Sequence, residues 1–151
     1  MATLHSHSSA QRQPYGGAAS IKVDDIRFNP IPEELFGNIA DRAAKAVSEG
    51  TREVNKPTQL RRFYDELVLW HEKVHHESGQ EAKDKKYNEL APFIKMMKAK
   101  VAYAKGRKHV DENFEKLFTH LVDQIQDAAS LRHAKLFMEA FMGFYKLYKQ
   151  N

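Results

Sequence analysis

The sequence predicts an all-α fold, a compact bundle of about five helices with a flexible N-terminal arm. Two observations carry that expectation. From Pro32 onward the apolar residues recur at helical spacing, and no stretch reads as a pair of alternating strands. Glycines and polar breaks then cut this pattern into segments of ordinary helical length joined by short connections. A chain of 151 residues has the length of one domain. We place an arm at residues 1–30 and a helical bundle domain at residues 31–151, and no internal repeat is visible.

Residues 1–20 carry Ser6, Ser8, Ser9, Pro14, Gly16 and Gly17, one arginine and no acid. Nothing there forms a hydrophobic face, so the stretch reads as a flexible arm, with His5 and His7 as solvated tail residues. Residues 21–32 alternate apolar and polar before Pro30 and Pro32, as a short extended segment laid on the body would.

The first helix is expected from about Glu33 to Glu49, burying Leu35, Phe36, Ile39, Ala43 and Val47 and stopping at Gly50. A second begins near Thr58 as N-cap and sets Leu60, Phe63, Tyr64, Leu67, Trp70 and Val74 on one stripe. Arg61 with Asp65, and Arg62 with Glu66, have the spacing of ion pairs on its flank. Ser78-Gly79 ends it. A short helical piece from Glu81 to Leu90 follows, and Pro92 either kinks that piece or starts a new helix.

Phe93–Lys105 reads as a third major helix with Ile94, Met97, Val101 and Ala104 inward and Gly106 as its stop. Asp111 to Ala129 reads as a fourth, on Phe114, Leu117, Phe118, Leu121, Val122 and Ile125. Leu131 to Gln150 reads as a fifth, with Leu136, Phe137, Phe141, Phe144, Tyr145 and Tyr148. Phe137, Phe141 and Phe144 of this last helix are read as core in preference to a binding platform. Leu69, on the polar side of the second helix, hints at a partner surface.

Cysteine is absent, which excludes disulfide frameworks, thiolate metal sites and cysteine nucleophiles. No run approaches the ~18 apolar residues of a membrane span, and the polar start lacks the apolar stretch of a secretory signal. The expected location is cytoplasmic, with no membrane partner.

His71-Glu72-Lys73-Val74-His75 spells HExxH, the helical zinc-protease pattern. The longer form of that pattern requires glycine at position 78 and histidine at position 81, where this chain has Ser78 and Glu81. Such proteases also hold substrate along a sheet edge, and no sheet is expected. His71 and His75 instead fall on the side of Leu60, Tyr64 and Leu67, so they are read as partly buried packing or interface histidines. We expect no catalytic residue, no metal and no cofactor. A zinc-dependent hydrolase and a helical protein-interaction module are the competing readings.

Between Leu90 and Val110 stand six basic residues and no acid, leaving 18 basic against 20 acidic residues elsewhere. The whole excess charge of +4 therefore comes from one helix and its exit loop. Lys95, Lys98 and Lys105 share one stripe, Lys100 points elsewhere, and Arg107 and Lys108 continue past the glycine. A row of unpaired cations is a footprint for a phosphate backbone, and lysines acting as point charges make such binding indifferent to sequence. Tyr103 lies on the far side, as a core, interface or base-stacking residue.

Thr58-Gln59-Leu60-Arg61-Arg62-Phe63-Tyr64, followed by the run from Pro92 to Arg107, resembles the small subunit of type III-A CRISPR effector complexes, the Csm complexes. The similarity spans about residues 50–150. It implies a helical bundle without catalytic chemistry, stacked in several copies as a short filament. That filament would hold guide RNA and target RNA beside the other Csm subunits. Carried over by position, the candidate RNA or subunit contacts are Arg61, Arg62, Lys95, Lys98, Lys100, Lys105 and Arg107, with Lys108 added from the charge pattern.

Overall fold

The computed structural model describes residues 19–149. The flexible arm expected over residues 1–20 falls, up to residue 18, outside the described residues. Six α-helices follow a π-helical turn at Leu35–Ile39: α1 Ala40–Ser48, α2 Pro57–His75, α3 Gln80–Lys95, α4 Met97–Gly106, α5 Glu112–Gln124 and α6 Ala128–Tyr148. No strand occurs among the described residues, and none of these helices is long and apolar enough to cross a membrane.

The long α6 is the axis of the bundle, and both α1 and α2 pack along it. Phe137, Met138, Phe141 and Tyr145 of α6 are buried, and Phe141 meets Phe114 of α5, which clusters with Phe118 and with Phe63 of α2. Of the residues read as core in α6, Phe137 and Phe141 are fully buried and Phe144 only partly, while Tyr148 at its end is exposed. α4 runs beside α5 on the outside of this layer.

The segment before the first helix lies on α5 as expected. Ile21, Ile26 and Phe28 are buried, and two amides of α5 hold their backbone. Asn113 Oδ1 accepts from Ile21 N–H (3.0 Å) while its Nδ2 donates to the Ala19 carbonyl (2.8 Å). Gln124 does the same one end further on, accepting from Phe28 N–H and donating to the Ile26 carbonyl. These bonds satisfy backbone groups that no helix or sheet serves.

The first helix, expected from Glu33, is divided at the non-helical Gly37 into the π-helical turn and α1, and four further boundaries depart from expectation, each for a local reason. Pro57 occupies the first position of α2, with Lys56 extended before it, so the start is set by proline rather than by Thr58 as a cap. α3 runs through Pro92 and breaks only at Met96, because Ile94 is buried and Phe93 stacks on Trp70 beyond the proline. The piece expected at Glu81–Leu90 thus joins the start of the third major helix, and the remainder becomes α4.

α4 is closed by Lys108, which takes a left-handed conformation (φ 64°) with its N–H on the Lys105 carbonyl. Gly106 still lies within the helix. Finally, α5 ends at Gln124, and Asp127 opens α6 through a reciprocal cap with Ser130. The Asp127-Ala128-Ala129-Ser130 spacing is the signal that marks this break.

Candidate nucleic-acid interface

The basic run on α3, α4 and the following turn divides between two neighbouring helices. Lys95, Lys98 and Lys105 all reach toward α5, whereas Lys100 reaches toward α2. The expected grouping, three on one stripe with Lys100 apart, is present. The expected absence of partners is not. Lys95 Nζ donates to the carbonyls of Val122 (2.7 Å) and Ile125 (2.6 Å) at the C-terminal end of α5. Burial holds the Lys95 ammonium below its usual lysine range, and the neighbouring Lys98 pushes the same way.

Lys98 pairs with Asp123 at 2.6 Å, Lys100 with Glu66 at 3.0 Å and Lys105 with Glu115 at 3.3 Å. These acids lie far along the chain or on another helix, which is why a local charge pattern shows the cations as unpaired. The side chains of Lys98, Lys100 and Lys105 remain 42%, 51% and 43% exposed, so their ion pairs are weakly held.

The two arginines of α2 also separate. Arg61 pairs with Asp65 at 3.7 Å, as its spacing suggests. Glu66, the expected partner of Arg62, instead receives Lys100 and the indole N–H of Trp70 (3.0 Å). Arg62 is exposed and has no ion pair among the described residues. Arg107 and Lys108 are likewise exposed and without an acidic partner among them. Arg107 lies 5.9 Å over the ring of Tyr103 and donates to its hydroxyl at 3.1 Å. Tyr103 is 66% exposed, which removes it from the core. With Phe93, Met96 and Lys100 it forms one outward stripe of apolar and cationic residues.

A residue that the local patterns overlooked holds this end of the bundle together. Asn55 is fully buried and left-handed (φ 59°). Its N–H donates to the His109 carbonyl (2.9 Å), its Oδ1 accepts from Asp111 N–H (3.0 Å) and its Nδ2 donates to the Val47 carbonyl (3.2 Å). The Tyr145 hydroxyl donates to the Asn55 carbonyl (2.7 Å). One side chain and its backbone thus join the ends of α1, α4, α5 and α6. The signal available in the sequence is an asparagine shortly before a proline, a common turn arrangement without a stated partner.

His71 and His75 stack at 4.4 Å between ring centroids. His75 Nε2 donates to the Ala128 carbonyl at the start of α6 (3.0 Å), while Glu72 is exposed to solvent. No three histidine or carboxylate groups come together in a metal-holding arrangement among the described residues. The pair ties α2 to α6, in keeping with packing histidines. Burial, then the positive neighbours His75, Lys135, Arg132 and Lys83, lower the His71 pKa from the usual 6.5 to about 4.

As pH falls from 6.5 to about 4, the unfolded chain therefore takes up a proton that folded His71 refuses, and stability drops across that window. His71→Leu is expected to make this acid-side loss shallower, with the remainder contributed by His133, whose pKa burial also lowers. Urea unfolding at neutral and mildly acidic pH checks it; an unchanged acid slope in the variant refutes the assignment.

A sequence model of the family described as Csm2 Type III-A matches residues 32–151. No curated protein and no solved structure matches. The match covers the whole helical body, including α2 and the α3–α4 run that carry the resemblance. The chain belongs to the Csm2 Type III-A family, the small structural subunit that associates with the other Csm subunits in the type III-A CRISPR effector complex.

Proposed function

We propose that this subunit is non-catalytic, works in a cytoplasmic complex, stacks there in several copies, and holds guide and target RNA by their phosphate backbones without reading sequence. The observation that carries the proposal is the α4–α5 turn. Arg107 and Lys108 stand exposed and without an acidic partner among the described residues. Lys108 does so in a left-handed conformation that costs a lysine about 1 kcal/mol and a glycine almost nothing.

Arg62 adds a third unpaired cation. Arg61 and Lys98 sit in exposed pairs whose carboxylates a phosphate can replace at little cost, whereas Lys100 and Lys105 face the less exposed carboxylates of Glu66 (18%) and Glu115 (27%) and are released less readily. Lys95, with its ammonium committed to two carbonyls, is left out of the contact set. Tyr103 beside Arg107 offers a stacking surface for a base of any identity. Exposed Leu69, Phe93, Met96 and Leu147 support contact with neighbouring subunits.

The test is a gel shift of the full chain with single-stranded RNA across a salt series. Weak binding that falls steeply with salt is expected for the wild type. Arg107→Glu with Lys108→Glu is expected to weaken it by about twentyfold at low salt and to lower the salt slope by roughly 0.7 per lost contact. Charge reversal at Lys98 or Lys105 is less clean, since it sets a carboxylate against Asp123 or Glu115. Salt-independent binding, or none either alone or assembled with partner subunits, overturns the reading.

A further inference from the structure

The buried junction at Asn55 pins the 51–56 loop against the α4–α5 turn through the His109 carbonyl. On one side of that junction stand Arg107 and Lys108. On the other, two adjoining furrows run between this loop, the first turns of α2 and the last turns of α6. The first, about 430 Å³, has Arg61, Lys146 and Lys149 on its walls and no carboxylate among the described residues. The second, about 490 Å³, has Arg52, Lys56 and again Lys149, with Glu53 as its acid.

The cations are set for a ligand outside the chain. Arg52, Lys56 and Lys146 are exposed and form no ion pair among the described residues. Arg61 has only its exposed pair with Asp65. Lys149 stands between the furrows with its ammonium committed to the carbonyls of Thr51 (2.9 Å) and Val54 (2.7 Å), so like Lys95 it shapes the site and is left out of the contact set. Two further acids lie nearby: Asp111 spends one carboxylate oxygen capping α5 through Phe114 N–H, and Asp41 accepts from the hydroxyl of Tyr148 on the wall of the second furrow. Met142 supplies apolar wall to the first furrow, against which a sugar can lie.

We infer that these furrows are a second phosphodiester-binding surface, continuous across the Asn55 junction with the Arg107–Lys108 turn, along which a single strand of RNA passes from α4 to α6. This rests on the RNA-binding reading above and names the path the backbone takes. Point charges from lysine and forked donors from two arginines suit successive phosphates, and neither requires a particular base.

The experiment measures binding of full-length protein to a labelled single-stranded oligouridylate over a salt series. Three proteins are compared: wild type, Lys56→Glu with Lys146→Glu, and the charge-matched control Lys73→Glu with Lys85→Glu. The control pair lies on the C-terminal half of α2 and on α3, away from the furrows. The furrow variant is expected to lose at least tenfold in affinity at low salt and about 1.4 units of salt slope, with the control close to wild type. Inorganic phosphate is expected to compete far less well than RNA, since one phosphate fills one contact of several.

A wild type that binds while the furrow variant binds equally, or while the control loses as much, overturns this path and leaves RNA binding standing. Competition by phosphate as effective as that by RNA also overturns it, as a single-anion site. A wild type without RNA affinity overturns both. Thermal unfolding followed by circular dichroism on each variant shows whether a lost affinity is merely lost fold; should the furrow variant be unfolded, Lys56→Gln with Lys146→Gln replaces it under the same criteria.

Discussion

Asn55→Ala is expected to destabilise the protein by about 3 kcal/mol, measured as a fall in the urea midpoint at unchanged slope. Two effects add. The Asp111 N–H loses its acceptor and the Val47 carbonyl loses a donor, in a site with no access to water, which costs ~1 kcal/mol or more for each group. Alanine must also hold the left-handed backbone that asparagine tolerates, for about another 1 kcal/mol. Asn55→Gly keeps the first loss and removes the second, so it should recover roughly 1 kcal/mol relative to alanine. If glycine and alanine cost the same, the backbone conformation is not part of Asn55's role. Both variants should also raise amide exchange at residues 51–56 and 107–110, the two loops that Asn55 joins.

Phe114→Ala is expected to cost about 4 kcal/mol, the largest loss of any single truncation we foresee. Phe114 is fully buried, and its ring lies 5.6 Å from that of Phe63, 5.7 Å from Phe118 and 6.3 Å from Phe141. It is therefore the point at which α2, α5 and α6 share one aromatic cluster. Removing it leaves a cavity walled by rigid rings on three helices, which relax into the space poorly. Chemical denaturation measures this directly; a loss below about 1.5 kcal/mol would mean that the cluster closes over the gap.

The helical body was legible because its signals are local. Apolar residues three and four apart mark the buried faces of α2, α5 and α6, and Leu60, Phe63, Leu67, Phe114, Leu117, Phe118, Phe137 and Phe141 all occupy the core. Alternation in residues 21–32 marked the segment on α5 for the same reason. Boundaries were less legible where packing outweighed local preference, as at Pro92, through which α3 continues because Phe93 and Ile94 find partners beyond it. The break at Gln124 was written in the Asp127–Ser130 cap, a weaker signal than the apolar stripe that runs across it.

For the candidate site the division is sharper. The sequence alone determines that positive charge concentrates between Leu90 and Val110, that Lys95, Lys98 and Lys105 share a stripe, and that the two histidines of HExxH fall on the apolar side of their helix. Each is a property of neighbours within a few turns of one helix. Only the tertiary structure decides which charges stay free. It brings Asp123, Glu115 and Glu66 to lysines that look unpaired, takes Glu66 away from Arg62, and leaves Arg62, Arg107 and Lys108 without acidic partners among the described residues. It also assembles Arg52, Lys56, Lys146 and Lys149 into one pair of furrows, although the first two precede α2 and the last two lie at the end of α6 and just beyond it. Helical periodicity reports the direction a side chain takes from its own axis. The partner waiting there is set by how the other helices cross, and at this end of the bundle that crossing is held by the buried amide of Asn55.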